Sequence, residues 1–168
     1  MSALHVAVLN AFKRMNWQYR IVPDMEVVES GFEAHHGRVN LHVQSFPDAH
    51  IIAVVATASL KVPPTHRTKA SELLMRTNKE LNLGAFEMDW DGGDVLFRQS
   101  NVFPKNRQDE DIIVNLTHNA IAEMDRLTPF LGELCRTKKD MLVLLDVREL
   151  LQREELLPPV PDELTASE

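Results

Sequence analysis

The sequence predicts an α+β fold: a twisted antiparallel sheet of about five strands with helices packed on one face, in the order α-βββ-α-ββ-α plus a C-terminal helix. Three observations predict it. Residues 38–46 alternate strictly, with Val39, Leu41 and Val43 on one face and Arg38, Asn40, His42 and Gln44 on the other, the period of a strand with one wet side. The run IIAVVATASL within residues 50–60 is apolar on both faces over its first half, which suits the centre of a sheet. From about residue 110, Ile113, Leu116, Ala120, Met124, Leu127, Leu131 and Leu134 recur at helical spacing. At 168 residues the chain is long enough for one self-sufficient core.

The elements follow in order. Residues 2–16 read as a helix: Leu4, Val8, Ala11, Phe12 and Met15 share a stripe, and Ser2 can cap its start. Lys13 and Arg14 suit the negative end of its dipole. Residues 17–22 are a short extended run ended by Pro23-Asp24. Strands follow at 27–34 (interrupted by Gly31), 38–46 and 50–60, with turns at His36-Gly37 and Pro47-Asp48. Val62-Pro63-Pro64-Thr65 breaks the sheet. Thr65 or Thr68 can then cap a helix to about Leu81, with Ala70, Leu73, Leu74, Thr77 and Leu81 inward, ended by Asn82-Leu83-Gly84. Residues 85–90 alternate again, with Phe86, Met88 and Trp90 on one side, and 95–100 return beside them. In the long helix, Pro129 is expected to kink or divide the coil, because it removes an internal hydrogen bond. Lys138-Lys139-Asp140 marks a break before a further helix over 141–156. One domain therefore spans 1–157, including a helical arm from about 138, and the proline-rich, acidic 158–168 is expected to be a disordered tail.

Composition narrows the function. The net charge is −7 with 26% charged residues, which argues against nucleic acid or an anionic membrane as partner, since both require a basic face. No run approaches the ~20 apolar residues of a membrane span, and residues 1–17 lack the pattern of a secretory signal, so the expected location is the cytoplasm. The single cysteine, Cys135, can form no internal disulfide and reads as an inert thiol in a helix.

Chemistry-bearing patterns are few. In DWDGGD, Asp89, Asp91 and Asp94 surround Gly92-Gly93. A calcium loop begun at Asp89 would put Gly93 at its fifth position and Ser100 where a glutamate is required. A hairpin turn accounts for every residue instead, with Gly92 and Gly93 at positive φ and Asp91 and Asp94 bonding its backbone. His42 and His50 could meet across a hairpin, but no HxxxH or CxxC spacing accompanies them. No nucleophile elbow or phosphate loop occurs. No catalytic, cofactor or metal residue is nominated. Trp17, Tyr19, Phe86 and Trp90 read as core anchors. The final helix is apolar over a wide arc, so Leu142, Leu145, Val147, Leu150 and Leu151 form a possible protein interface, unless they pack on the chain's own sheet, with a second protomer or a client protein.

The element order and the stretch VPPTHRTKASELLMRTNKELNLGAFEMDWDGGDVLFR resemble the YbjN family, described as bacterial sensory-transduction regulators, whose fold is like that of type III secretion chaperones. Val62-Pro63, Leu73-Leu74, Asn78, Gly84, Phe86 and Phe97-Arg98 carry the likeness, with Asp125 and Pro129 in the later EMDRLTPFL. It spans about residues 3–135, and the region after Lys138 goes beyond it. In physical terms, Gly84 reads as a helix C-cap, Phe86 as a core anchor and Asn78 as a backbone bonder at the helix end. The resemblance implies a non-enzymatic protein-interaction module, chaperone-like or regulatory, without cofactor, dimeric and bound to a protein partner. The alternatives are a metal-binding protein or enzyme using His42, His50 or residues 89–94, and a structural homodimer without client.

Overall fold

The computed structural model describes residues 1–158. Six antiparallel strands form one sheet in the order β1-β2-β3-β4-β6-β5: β1 (Arg20–Ile21), β2 (Val27–Glu33), β3 (Arg38–Phe46), β4 (Ile51–Lys61), β5 (Ala85–Met88) and β6 (Asp94–Val102). The sixth strand is the extended run before Pro23. Only Arg20 and Ile21 pair, with Glu29 and Val28, too few residues to show a period in sequence. β4 lies inside the sheet, as its two-sided apolar run requires.

Side-chain alternation separates the two faces. Val28, Val43 and Val54 stand opposite one another, as do Leu41, Ala56, Phe97 and Phe86, and all are buried under the helices. Helix α1 (Ala3–Arg14) is capped by the Ser2 hydroxyl, which accepts the His5 N–H at 3.2 Å. Its Phe12 meets Trp17 and Tyr19 edge-on. Helix α3 (Glu110–Arg136) crosses Pro129 without dividing. Pro129 cannot donate to the Asp125 carbonyl, but Leu127, Phe130, Leu131 and Leu134 on either side of it are buried, and this packing carries the coil through.

Helix α2 (Arg67–Asn78) differs from expectation at both ends. Neither Thr65 nor Thr68 caps it. A 3-10 turn over Pro64–His66 leads in, and the buried His66 holds the join: Nδ1 meets Thr65 Oγ1 at 2.9 Å and Nε2 meets the Thr137 carbonyl at 2.7 Å. The helix stops at Asn78, before Leu81, and Gly84 is not its C-cap. Gly84 instead immediately precedes β5 at φ +77°, where a Cβ would stand 2.5 Å from the Phe97 ring and 2.9 Å from the Arg98 carbonyl.

The expected helix over 141–156 is also corrected. The chain forms a 3-10 segment (Lys139–Leu144), a single α turn, α4 (Val147–Leu150), and a second 3-10 turn (Glu154–Leu156). Asp146 breaks the run by taking the N–H groups of Arg148 and Glu149 onto its carboxylate. Of the tail, all beyond Pro158 lies outside the described residues. Among the described residues no helix is long and apolar enough to cross a membrane.

Candidate protein-binding site

The DWDGGD stretch is a hairpin turn between β5 and β6, built differently from the expected one. Asp89, rather than Asp91 or Asp94, bonds the turn backbone: its carboxylate accepts the N–H groups of Asp91 at 3.2 Å and Gly92 at 2.9 Å. Only Gly93 has positive φ. A Cβ there would strike the Val62 carbonyl, so glycine lets the turn close on that segment. Asp94 pairs with Lys61 at 2.9 Å. With Asp89 engaged by amides and Asp94 by an ammonium, the loop gathers no set of free carboxylates.

The histidines disperse. His42 stands opposite Val55, whereas His50 lies beyond the Phe46–Ile51 pair, so they do not meet. That separation is on the order of 15 Å along the strand at its usual rise. His35 and His36 lie in the β2–β3 turn and stack edge-on with ring centroids 4.6 Å apart. The His36 backbone N–H donates to Asp125 Oδ1 at 2.6 Å, which fastens that turn to α3. Among the described residues no three His, Cys, Asp or Glu side chains are placed to hold a metal ion. Cys135 is half-buried, and burial pushes its thiol pKa up.

The sheet face away from the helices carries paired charges. Arg98, Val55, His42, Glu29 and Arg20 form one row across five strands. Arg98 pairs with Glu87, Arg20 with Glu29, and Arg38 with Glu33. Burial, and then the nearby Arg98, hold the His42 pKa below its ordinary value. At one end of this face Phe46, Ile51 and Val102 make a short apolar row.

Several exposed apolar side chains lie on and near α2. Trp90, expected in the core, is 56% exposed at the hairpin tip, where its carbonyl accepts from Arg67 at the start of α2. Met75, on the outer side of α2, is 71% exposed. Val143 and Leu144 are 81% and 71% exposed and border a cleft with Lys69, Glu72 and Arg76 of α2. The residues expected as an interface lie mostly inside. Leu142, Val147 and Leu150 are buried in the chain's own core, while Leu145 and Leu151 are half-buried against it. Met75 could have been found from sequence, since it falls outside the inward stripe of α2. Val143 and Leu144 could not, because an all-apolar run has no period to mark its outer face.

Two further side chains act in ways the sequence shows poorly. Asn78 pairs with the backbone of β5, its amide donating to the Phe86 carbonyl at 3.0 Å and its oxygen accepting the Phe86 N–H at 2.7 Å. It thereby covers the outer edge of the sheet, an edge that would otherwise invite strand pairing. His5 is 1% exposed and neither ring nitrogen has a hydrogen-bond partner among the described residues. Burial holds its pKa below the ordinary value, against the opposing pull of Glu26.

The molecule is thus an open α+β sheet backed by helices, with exposed apolar side chains on and near α2. The chain belongs to the YbjN family: residues 5–133 match its model, described as "Putative bacterial sensory transduction regulator". No curated protein matches the chain in sequence. Among solved structures it is similar to YbjN of E. coli, described as "a putative transcription regulator". The TM-score is 0.53 at 10% identity, over 71% of this chain and 86% of that one. It is also similar to a chain in the ExsC–ExsE complex, with a TM-score of 0.54 at 11% identity over 78% of this chain and 97% of that one. A HopA1–SchA chaperone–effector complex gives 0.49 at 9% identity over 72% and 88%. The α+β fold is shared with YbjN and with the chain of the ExsC–ExsE complex.

Proposed function

We propose that the chain is a non-enzymatic protein-binding module of the cytoplasm, chaperone-like or regulatory, working as a dimer. One observation carries this reading: four large apolar side chains on and near α2, Trp90, Met75, Val143 and Leu144, are more than half exposed. Exposed apolar surface of this kind marks interaction sites, and tryptophan is a frequent energetic anchor within them. The family membership and the complex formed by a protein of similar fold support it. The partner is a polypeptide that lays apolar side chains along α2. The arm, with Met141, Val143 and Leu144 outward and Leu145 at its margin, is the surface for a second protomer.

The test is affinity capture from the native cytoplasm with the unaltered chain and with the double variant Met75→Glu, Trp90→Ala run in parallel. The expected result is a stoichiometric protein that survives high salt and is absent from the variant. Capture of the same protein by both chains, or of none by either, overturns the assignment of the surface.

A further inference from the structure

We infer that the arm, residues 139–158, exchanges between two copies of the chain, each arm seating on the other copy's α2–α3 surface. This rests on the dimeric reading above and adds how the dimer is built.

The arm lies beyond the family match, which ends at residue 133. It leaves α3 through two extended residues, Thr137 (ψ 130°) and Lys138 (ψ 144°). From there it doubles back along the helical layer. Lys69 Nζ donates to the Leu145 carbonyl at 2.7 Å and Arg153 reaches Glu133 at 3.0 Å. Leu151 and Leu157 line a cleft of about 260 Å³ with Leu127 and Phe130. Every one of these contacts is made between the arm and the body. A change at the two connecting residues alone would let a second copy's arm remake all of them, which is why exchange of an identical element is a low-cost route to dimers.

Something must then favour the exchanged form, because a tethered arm has the advantage of high local concentration. Met141, Val143 and Leu144 supply it. They lie in the first segment after the connection and face water while the arm stays on its own body. In an exchanged pair the two connecting segments cross side by side, and these residues cover one another. The sequence signal is the same one: a run apolar all round needs a second surface.

The experiment uses two full-length chains, each with Cys135→Ser, one carrying Glu133→Cys and the other Arg153→Cys. They are mixed, incubated and treated with a short bismaleimide, while sedimentation velocity on the unaltered chain reports its state. Neither variant can link body to arm within itself, so a cross-linked heterodimer above the level of either variant alone requires exchange. The expected result is a sedimenting dimer and a strong heterodimer band. A sedimenting dimer without that band overturns exchange and leaves the dimeric reading standing, whereas a monomer at all concentrations overturns both. Val143→Asp with Leu144→Asp, both at exposed positions, is expected to weaken the cross-link about tenfold, the scale of a few buried methylene groups. An unchanged yield overturns the role given to those residues.

Discussion

Helix α3 and the arm that follows it are both rich in leucine, yet one is a single coil of 27 residues and the other is three short helical pieces. In α3 the apolar residues keep to one stripe, so a straight helix buries them all: Ile113, Leu116, Ala120, Met124, Leu127, Leu131 and Leu134 are inside. In the arm they fall all round, and a straight helix on the surface would expose half of them. The chain breaks at Leu145-Asp146 and sends Leu142, Val147 and Leu150 inward, at the cost of leaving Val143 and Leu144 out. Pro129 makes the contrast sharper. A proline fails to divide α3, whereas in the arm Asp146 caps the start of a separate single turn. The depth of burial on either side decides which local signal prevails.

If that contrast is right, body and arm respond differently to the same kind of change. The largest effect is expected for Leu131→Ala, a fully buried residue of α3. It should cost about 3 kcal/mol and shift the midpoint of the whole denaturant transition. Leu150→Ala in α4 should cost about 2 kcal/mol of arm docking. It is expected to raise amide exchange over 139–156 about thirtyfold while the main midpoint hardly moves. A full shift of that midpoint would show that arm and body unfold as one. Asn78→Ala is expected to cost about 1–2 kcal/mol through the two freed backbone groups of Phe86, and light scattering should reveal association through the uncovered β5 edge.

The smallest effect is acid sensitivity, and its sign separates the regions. His5 and His42 of the body are held below their ordinary value, chiefly by burial. As pH falls below about 6.5 the unfolded chain binds protons that the folded chain refuses, so the body loses stability. The arm is anchored by carboxylates instead. Glu133 is held low by hydrogen bonds from Arg136 and Arg153, and Asp146 by the N–H groups of Glu149 and Arg148. Their contribution is present above about pH 4 and is lost as pH falls through their lowered values. Between pH 7 and 5 the denaturation midpoint should therefore drop while arm exchange rates, corrected for intrinsic chemistry, stay level. His5→Leu should flatten the drop, and an unchanged slope would move the effect to other groups.

Much of the body could be read before folding. The alternation at Val39, Leu41 and Val43 and the two-sided run of β4 gave strands that match the sheet within one or two residues. The α3 stripe was correct at every position named. The places that misled share a cause: each depends on a partner remote in sequence. Thr65 and Thr68 looked like caps, but His66 takes the joint because Thr137 lies against it, 71 residues away. Gly84 looked like a helix end, but its open Cβ position is needed by the Phe97 ring. Trp90 followed the period of Phe86 and Met88, but the strand stops at Met88 and the turn carries Trp90 outward. The candidate surface was the least legible part, since a Met or Leu is written alike whether it is inside or outside.

The sequence by itself determined the α+β class, the order of elements and the family, because hydrophobic period and turn chemistry are local and survive without any partner. Only the tertiary structure decided the sixth strand, the fragmentation of the arm, the covering of the β5 edge by Asn78 and the exposure of Trp90, Met75, Val143 and Leu144. Those depend on which surfaces meet, and a surface becomes inner or outer only when the rest of the chain has packed against it.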